Sequence, residues 1–206
     1  ATAALSSTAI ASANNANNKI VLAVMGVHSR GAHLAKQFSK IPGVEIRYVC
    51  DCDERQIGNG VKAVPTKGRT EPLKTTGDFR EALDDPAVDA LVCATPNHWH
   101  AAATTAACQA GKHVYVEKPC SHTAEEGELM IAAVEQSNRV VQVGMQRRSG
   151  PLYQVMVQRI REGVIGDVLF AKSWYFRNRP SIGHADPKPA PSGLDFDMWQ
   201  GPVTEQ

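Results

Sequence analysis

Short apolar runs recur along the chain from Lys19, each followed by a polar or glycine-rich break. The runs are rich in Val, Ile and Leu and are almost continuous, which is typical of strands buried on both faces of a parallel sheet. The third run is short and weak, and we expect it at an edge of the sheet. The six predicted strands are KIVLAVM (19–25), VEIRYVC (44–50), PLKTT (72–76), VDALVCA (88–94), HVYVE (113–117) and VVQVGM (140–145).

Helical patterns lie between these runs. Residues 29–39 follow a glycine turn directly, and residues 98–110 are rich in Ala and stop at Gly111, as at a helix C′ glycine. Thr123 and Glu126 form a capping-box pattern ahead of a further helix. Strands and helices that alternate with short links predict an α/β fold, a Rossmann-type doubly wound parallel sheet of about six strands.

The pattern changes in the last part of the chain. Residues 151–163 predict one amphipathic helix and residues 166–178 one strand, and the Pro- and Gly-rich stretch from Arg179 to Gly201 has no clear period. These elements bury too little apolar surface for a core of their own. We therefore predict a complete domain at residues 19–149, followed at residues 150–206 by the opening of a truncated α+β second domain.

The first 18 residues are small and apolar at first and then rich in Asn. The stretch Ala11-Ser12-Ala13 resembles the cleavage site of a signal peptide. Two interpretations stay open: the remnant of an export signal, which would place the protein in the periplasm, or a disordered tail on a cytoplasmic protein. Either interpretation excludes residues 1–18 from the predicted fold.

Composition narrows the classes of function. A net charge of +1 with 43% hydrophobic residues is a soluble globular composition, without the basic excess that nucleic acid or an anionic membrane would require. No apolar run is long enough to span a bilayer. Five cysteines are an odd number and do not indicate a disulfide framework. Cys50-x-Cys52 lacks the spacing and partners of a zinc site, so we predict no metal.

The turn VMGVHSRGAHL (24–34) differs by one residue from the dinucleotide-binding pattern G-x-G-x-x-G, because His28 takes the middle place. Gly26 can make the tight bend, and Gly31 lets the helix pack close to the strand. The N–H groups at the helix start could hold a pyrophosphate, with Arg30 adding charge. A plain strand-to-helix turn remains the alternative for this stretch alone. The cofactor-binding candidates of the turn are Gly26, Val27, His28, Ser29, Arg30 and Gly31.

An acid at the end of the second strand would bind the hydroxyls of the adenosine ribose in such a fold. Asp51 follows that strand directly and is predicted for this role. A carboxylate at this place repels a 2′-phosphate, so NAD is favoured over NADP. The alternative is that Asp51 and Asp53 merely cap the next helix.

Two further polar stretches follow apolar strands, at the sheet edge where open α/β sheets bind ligands. Thr95-Pro96-Asn97 ends the fourth strand, and Asn97 is placed to cap the helix that carries His100 in its first turn. Glu117-Lys118-Pro119 ends the fifth strand. Taken singly, each of these stretches is equally typical of a solvated strand end.

Together they carry a resemblance. Residues 94–119, ATPNHWHAAATTAACQAGKHVYVEKP, resemble the Gfo/Idh/MocA family of NAD(P)-dependent oxidoreductases, named for glucose–fructose oxidoreductase and inositol dehydrogenase. The family patterns T-P-N-x-x-H, A-G-K-H-V and E-K-P occur in order and at family spacing. VVQVGMQRRS (140–149) and GLDFDMWQGP (193–202) are also similar to the family, notably to a branch with export signals. The resemblance runs from about Lys19 to the last residue and fails only in the glycine turn, at His28.

The resemblance implies roles for individual residues. Lys118 would contact the nicotinamide ribose and the reacting sugar hydroxyl, which makes it the candidate catalytic residue, and the Lys118–Pro119 bond would be cis. Asn97, His100 and Glu117 would line the nicotinamide half of the site. The cofactor-lining positions implied by the family outside the turn are Thr95, Pro96, Asn97, His100, Glu117, Lys118, Gln146 and Arg148.

The implied function is an NAD-dependent oxidoreductase that transfers a hydride between a secondary hydroxyl of a sugar or polyol and nicotinamide. The family completes its site with an Asp and a His in the second domain, and no such pair follows Gly201. We therefore expect this chain to carry the cofactor half of the site, to lack turnover alone, and to belong to a homo-oligomer at full length. Two alternatives stay open: a glycosidase that retains NAD and oxidises its sugar transiently, and a non-catalytic nucleotide-binding module.

Overall fold

The computed structural model describes residues 19–66, 69, 71–184 and 186–203 of the 206-residue chain. The strands are β1 (Ile20–Met25), β2 (Val44–Cys50), β3 (Lys74–Thr76), β4 (Ala90–Cys93), β5 (His113–Glu117) and β6 (Val141–Gly144). The helices are α1 (Arg30–Phe38), α2 (Glu54–Ala63), α3 (Arg80–Asp84), α4 (Asn97–Gln109), α5 (Ala124–Ser137), α6 (Pro151–Arg161) and α7 (Phe196–Gln200). The tail predicted at residues 1–18 lies outside the described residues and stays a prediction.

The six strands form one parallel sheet with the order β3-β2-β1-β4-β5-β6. From β1 the chain moves outward to β2 and β3, and then crosses to the other side of β1 for β4, β5 and β6. The order therefore reverses between β1 and β4, and open α/β sheets bind ligands at the carboxyl ends of the strands beside such a reversal. The predicted doubly wound fold is confirmed, with β3 at an edge.

Burial along β1 explains why this strand lies at the centre of the sheet. Ala23 and Met25 point into the core cluster on one face, whereas Leu22 and Val24 point into the cluster on the other face. Successive side chains of a strand alternate between faces, so an unbroken apolar run serves two cores at once. Both clusters are covered by helices, so ligands can reach the sheet only at the ends of its strands.

The helix boundaries follow the signals in the sequence. α4 ends at Gln109, and Gly111 has a φ of +75°, as a C′ glycine requires. Before α5, the Thr123 hydroxyl accepts the Glu126 N–H at 3.2 Å while the Glu126 carboxylate accepts the Thr123 N–H at 3.2 Å. The predicted capping box is therefore confirmed.

The described residues form two compact units. The first comprises the residues up to Gly144 together with those from Ala190 onward, and the second comprises Met145–Pro189. The stretch predicted to open a second domain at residues 150–206 is thus divided between the two units. The predicted helix is present as α6 in the second unit, whereas the domain boundaries remain a prediction.

The strand predicted at residues 166–178 is wrong. The backbone there has no strand conformation, and the whole stretch is exposed, with Leu169 at 93% and Phe170 at 81% of full exposure. The apolar pattern indicated a strand, but a strand needs a neighbour to complete its hydrogen bonds. No segment among the described residues pairs with this one.

Membrane-spanning helices and clusters of metal ligands are both absent from the described residues. In the part of the chain that the structure describes, every helix is too short or too polar to cross a bilayer. The same residues contain no group of three or more His, Cys, Asp or Glu side chains arranged to hold a metal ion. All five cysteines are free thiols, and Cys50 and Cys93 are buried in the sheet.

Candidate functional site

A cavity of about 570 Å³ lies at the carboxyl edge of the sheet, within the first unit. Its volume is in the range of small-molecule sites. The walls come from the ends of β1, β2 and β4, from the starts of α1, α2 and α4, and from residues 194–199. The structure thus brings together seven of the predicted site residues at this cavity: Gly26, His28, Ser29, Arg30, Asp51, Thr95 and Pro96.

The two outer positions of the turn require glycine for different structural reasons. Gly26 has a φ of +81°, and a Cβ at this position would lie 2.8 Å from the Ala94 carbonyl oxygen. At Gly31 a Cβ would overlap the carbonyl oxygen of Gly26. Gly26 therefore permits the bend against β4, and Gly31 permits the close contact of α1 with the turn, as predicted.

The middle position of the turn, which His28 occupies, does not require glycine. Among the described residues Asn138 alone combines a side chain with a positive φ, so the backbone at His28 is of an ordinary kind. The His28 side chain is exposed at the cavity, and its carbonyl oxygen accepts a hydrogen bond from Asn59 Nδ2 at 3.3 Å. The departure from the family pattern therefore leaves the turn intact.

The first turns of α1 and α4 have no capping side chain. Ser29 and Pro96 occupy the N-cap positions, and neither makes a side-chain cap hydrogen bond. Unpaired N–H groups at a helix start carry partial positive charge and suit an anion such as a phosphate. The predicted cap at Asn97 is wrong: α4 begins at this residue, one position earlier than expected, so Asn97 lies inside the first turn.

Asp51 joins the end of β2 to the glycine turn. Its Oδ2 accepts the Val27 N–H at 2.7 Å, and its Oδ1 accepts the Asp53 N–H at 3.0 Å. Burial raises the pKa of Asp51 above its ordinary value, although these two backbone hydrogen bonds oppose the rise. Each carboxylate oxygen retains acceptor capacity beyond these bonds, so Asp51 can also accept a ligand hydroxyl at the cavity.

Asp53 caps helix α2, a role that the sequence allowed for both Asp51 and Asp53. Its carboxylate accepts the Arg55 N–H at 3.0 Å as the N-cap of α2. The Arg55 guanidinium also donates to both Asp53 oxygens at 2.7 Å, and this pairing lowers the pKa of Asp53 to about 2. The two neighbouring acids therefore differ in their donors. The Asp53 carboxylate accepts from the first turn of α2 and from the Arg55 guanidinium, whereas the Asp51 carboxylate accepts only from backbone N–H groups.

Glu117, at the end of β5, is buried and paired with Arg30. The guanidinium donates through Nε at 2.8 Å, and its Nη2 lies 2.7 Å from the same carboxylate oxygen. A Cβ at Gly144 of β6 would lie 2.6 Å from the Tyr115 hydroxyl and 3.0 Å from Glu117 Oε1, so a larger residue there would require these side chains to shift. Glu117 thus holds the start of α1 to β5, and its nicotinamide-lining role stays a prediction.

His100 connects the ends of β4 and β5. The imidazole is 1% exposed, and its two ring nitrogens face the carbonyl oxygens of Thr95 and Pro119. The Lys118–Pro119 peptide bond is cis, as the resemblance implied. Lys118 itself is exposed and has no hydrogen-bond or ion-pair partner among the described residues. The buried histidine therefore supports the loop from which Lys118 projects.

Several cavity residues were missed from the sequence. Among them are five with large apolar side chains, namely Phe79, Trp99, Leu194, Met198 and Trp199. The last three lie in the Pro- and Gly-rich stretch that has no clear period, far along the chain from the strands. The signal that could have found them is Asp195 ahead of two apolar aromatic residues, because Asp195 caps the short helix α7.

Other predicted residues lie away from the cavity lining. Val27 and Gly31 are buried beneath the turn, where they support it. Asn97 and Lys118 are exposed beside the strand ends. His100 and Glu117, described above, do not line the cavity either. Gln146 and Arg148 belong to the second unit, and their roles stay predictions.

Comparison with known proteins agrees with this geometry. The profile of the Gfo/Idh/MocA oxidoreductase family, described as having an NAD-binding Rossmann fold, matches residues 4–145. A glycosyl hydrolase family 109 protein of Shewanella pealeana is 27% identical over 154 residues, which cover 73% of this chain and 34% of the relative. Levoglucosan dehydrogenase of Pseudarthrobacter phenanthrenivorans is 38% identical over 104 residues, covering 50% of this chain and 27% of that enzyme.

A solved structure gives the same picture. The crystal structure of an NAD-binding oxidoreductase from Klebsiella pneumoniae superposes with a TM-score of 0.59 at 26% identity, covering 72% of this chain and 40% of that one. The chain spans between about a quarter and a third of the length of the curated relatives it matches.

Proposed function

The chain belongs to the Gfo/Idh/MocA oxidoreductase family, and on that basis we propose that it is the cofactor-binding part of an NAD-dependent sugar or polyol dehydrogenase. The observation that carries the proposal is the cavity at the β1–β4 reversal, which combines an uncapped α1 start with the Asp51 carboxylate. Phosphate and ribose hydroxyls need these two kinds of group at this place in a Rossmann fold.

The donor set fits NAD. The N–H groups of the first turn of α1 would hold the pyrophosphate, and the Asp51 carboxylate would accept the hydroxyls of the adenosine ribose. A 2′-phosphate would meet the negative charge of Asp51, and the Arg55 guanidinium that could offset this charge is already paired with Asp53. NAD should therefore bind about tenfold or more tightly than NADP.

Lys118 is the residue proposed to act on the substrate. It projects from the end of β5 on the carboxyl edge of the sheet, and the hydrogen bonds of His100 support its loop. A lysine that is exposed and without an internal partner can donate to a sugar hydroxyl and handle its proton. Bound NAD would supply the hydride acceptor, so the protein's own part is orientation and proton handling.

The proposal is tested first by binding. Calorimetry with NAD, NADP and ADP-ribose should show binding of NAD and ADP-ribose, with NADP weaker. A protein that binds none of the three is not a dinucleotide enzyme, and the proposal fails. Turnover is then tested on the full-length enzyme that contains this cofactor-binding part, by following NADH absorbance with a panel of sugars and polyols. Lys118→Met should abolish any such turnover and leave NAD affinity within about twofold.

A second candidate is favoured by one observation, the 27% identity to a glycosyl hydrolase family 109 protein over 73% of this chain. In that case the enzyme would retain NAD and oxidise its sugar only transiently, so the cofactor would end each cycle in its starting state. Release of nitrophenol from nitrophenyl glycosides without net NADH would support the glycosidase. Net NADH without release of nitrophenol would support the dehydrogenase.

We also propose export, based on the Ala-rich stretch with its Ala11-Ser12-Ala13 sequence. Export would favour an enzyme that retains its cofactor, because free NAD is scarce outside the cytoplasm. Fractionation of cells that express the protein, with N-terminal sequencing of the periplasmic product, tests this proposal. Protein found only in the cytoplasm with an uncleaved N-terminus would contradict it.

A further inference from the structure

Residues 193–201, here called the closing segment, are attached to the β2 side of the cavity. The Glu54 N–H donates to the Gly193 carbonyl oxygen at 2.8 Å, and the Asp195 N–H donates to the Cys52 carbonyl oxygen at 2.9 Å. Leu194 and Asp53 form an antiparallel bridge at the same place. Backbone groups of the β2–α2 connection therefore fix the first part of the closing segment.

The second part of the closing segment is attached to α4, on the other side of the cavity. The Trp99 indole Nε1–H donates to the Met198 carbonyl oxygen at 2.8 Å, and His98 Nε2 lies 2.9 Å from the Trp199 carbonyl oxygen. The His98 and Trp199 rings also meet edge to face, with centroids 5.9 Å apart. The segment thus passes from the end of β2 to the start of α4.

Three side chains of the closing segment, those of Leu194, Met198 and Trp199, line the cavity. The cavity is also lined by Asp51, the acid at the β2 end that suits the adenosine ribose, whereas Lys118 does not line it. The segment therefore meets the adenosine side of the proposed cofactor site. Its three apolar side chains, with Trp99 beside them, offer the kind of wall to which a purine base binds.

We propose that the closing segment binds the adenosine half of the dinucleotide and slows its release. The inference rests on the proposed function, because it concerns the same cavity, and it adds Leu194, Met198 and Trp199 as cofactor-binding residues. Since the segment is bonded on both sides of the cavity, these bonds would hold its side chains against the bound adenosine. A cofactor held in this way would be retained between catalytic cycles.

Gly201 provides a way to displace the segment without removing any cavity-lining side chain. It has a φ of +59°, and a Cβ at this position would overlap the Trp99 ring. Gly201→Ala should therefore push the end of the segment away from α4. Gly111→Ala is the matched control in the same unit, because Gly111 also has a positive φ, +75°, but has open space around it.

The experiment compares the wild-type chain, Gly201→Ala, Trp199→Ala and Gly111→Ala. Stopped-flow displacement gives the NADH release rate, and calorimetry gives affinities for ADP-ribose and nicotinamide mononucleotide. Loss of an aromatic contact to a base should raise the release rate and the ADP-ribose Kd about tenfold in the first two variants. Gly111→Ala should release NADH at the wild-type rate, and the ADP-ribose effect should exceed any effect on the mononucleotide.

Hydrogen exchange gives a second measurement that does not depend on activity. Amides of residues 193–201 should exchange more slowly when ADP-ribose is bound, and faster in free Gly201→Ala than in the free wild type. Unchanged release from both closing-segment variants would overturn the inference and leave the proposed function intact. A wild-type chain that binds no dinucleotide would overturn both, so the two failures are distinguishable.

Discussion

The ends of β2 and β5 lie on the same edge of the sheet, and each carries an acid, but the two acids are bonded differently. Asp51 after β2 is held by two backbone N–H groups and lines the cavity. Glu117 at the end of β5 is held by the guanidinium of Arg30, and the exposed Lys118 follows it. The β2 end presents a carboxylate, whereas the β5 end uses its carboxylate internally and presents a cation.

This difference shows that an acid at a strand end is not by itself a ligand group. Single N–H donors leave carboxylate lone pairs available, so Asp51 can still accept from a ribose. A guanidinium places two N–H groups on one oxygen of Glu117 and also provides the compensating charge. The sequence shows two acids in similar places, and only the groups that donate to them distinguish the carboxylate that keeps acceptor capacity from the one that is bonded to a guanidinium.

The largest effect should come from Gly31→Ala, because α1 starts between the two strand ends. The added Cβ would overlap the Gly26 carbonyl oxygen, so the turn must shift and free energy of unfolding should fall by about 3 kcal/mol or more. Gly58→Ala in α2 is the control, since open space surrounds Gly58, and it should stabilise by about 0.5–1 kcal/mol. Urea unfolding measures the free energy of unfolding of both variants. Equal changes in the two would contradict the close contact between Gly31 and the Gly26 carbonyl oxygen.

Next in size is Asp51→Ala, which tests the binding role of the β2 end. Loss of a charged acceptor should weaken NAD binding about a hundredfold, as measured by calorimetry. Asp78→Ala is the control, because Asp78 accepts the Arg80 N–H at 2.9 Å but does not line the cavity. It should lose about 1 kcal/mol of stability and keep its NAD affinity. An Asp51→Ala protein with wild-type affinity would assign the ribose to another group.

Arg30→Gln tests how much the Arg30–Glu117 ion pair at the β5 end stabilises the fold, in comparison with the Arg55–Asp53 ion pair. It leaves the buried Glu117 without its cation, and a reduction of about 2 kcal/mol in the free energy of unfolding is expected, allowing for the part of Arg30 that meets solvent. Arg55→Gln removes a solvent-exposed partner of Asp53, where water screens the ion pair, so it should lower the free energy of unfolding much less than Arg30→Gln does. Denaturant titration measures the free energy of unfolding of both variants. A smaller loss in Arg30→Gln than in Arg55→Gln would contradict a structural role for the Arg30–Glu117 pair.

The smallest effect concerns pH and the two acids that follow β2. Asp53 has a folded-state pKa of about 2, below the ordinary value of about 3.9, so its stabilising contribution is present above pH 4 and lost as the pH falls toward 2. The pKa of Asp51 is raised, so on acidification Asp51 takes up its proton at a higher pH than Asp53 does. This protonation favours the folded state. NAD affinity should therefore fall before the protein unfolds, which calorimetry and circular dichroism across pH 3–6 can measure. Coincident losses would contradict separate roles for the two acids.

Much of the first unit was predictable from the sequence because its signals are local. Continuous apolar runs give β1, β2, β4 and β5, and Gly111 and the Thr123–Glu126 pair mark helix ends within a few residues of the bonds they satisfy. The cis bond before Pro119 followed from the family resemblance. In each case, the cause and the effect lie in the same short stretch of chain.

The rest depends on contacts between distant parts of the chain. The sequence could not show that Arg30 pairs with Glu117, because at a sequence separation of 87 nothing local indicates which carboxylate the guanidinium meets. The stretch 166–178 has a strand pattern, but its conformation depends on a partner that the pattern does not contain. Leu194 and Trp199 were missed for the same reason, since their role follows from the surface on which they lie.

The placement of the closing segment also has a consequence for the order of folding. Trp99 and Met198 are bonded at a sequence separation of 99 residues, whereas the most distant strand pairing in the sheet, Leu22 of β1 with Ala90 of β4, has a shorter separation. Closing a longer loop costs more conformational entropy, so we expect the sheet to form first and the wall of the cavity last. During synthesis, the chain would then present an open groove to the cofactor. The dinucleotide could enter before its own exit is narrowed.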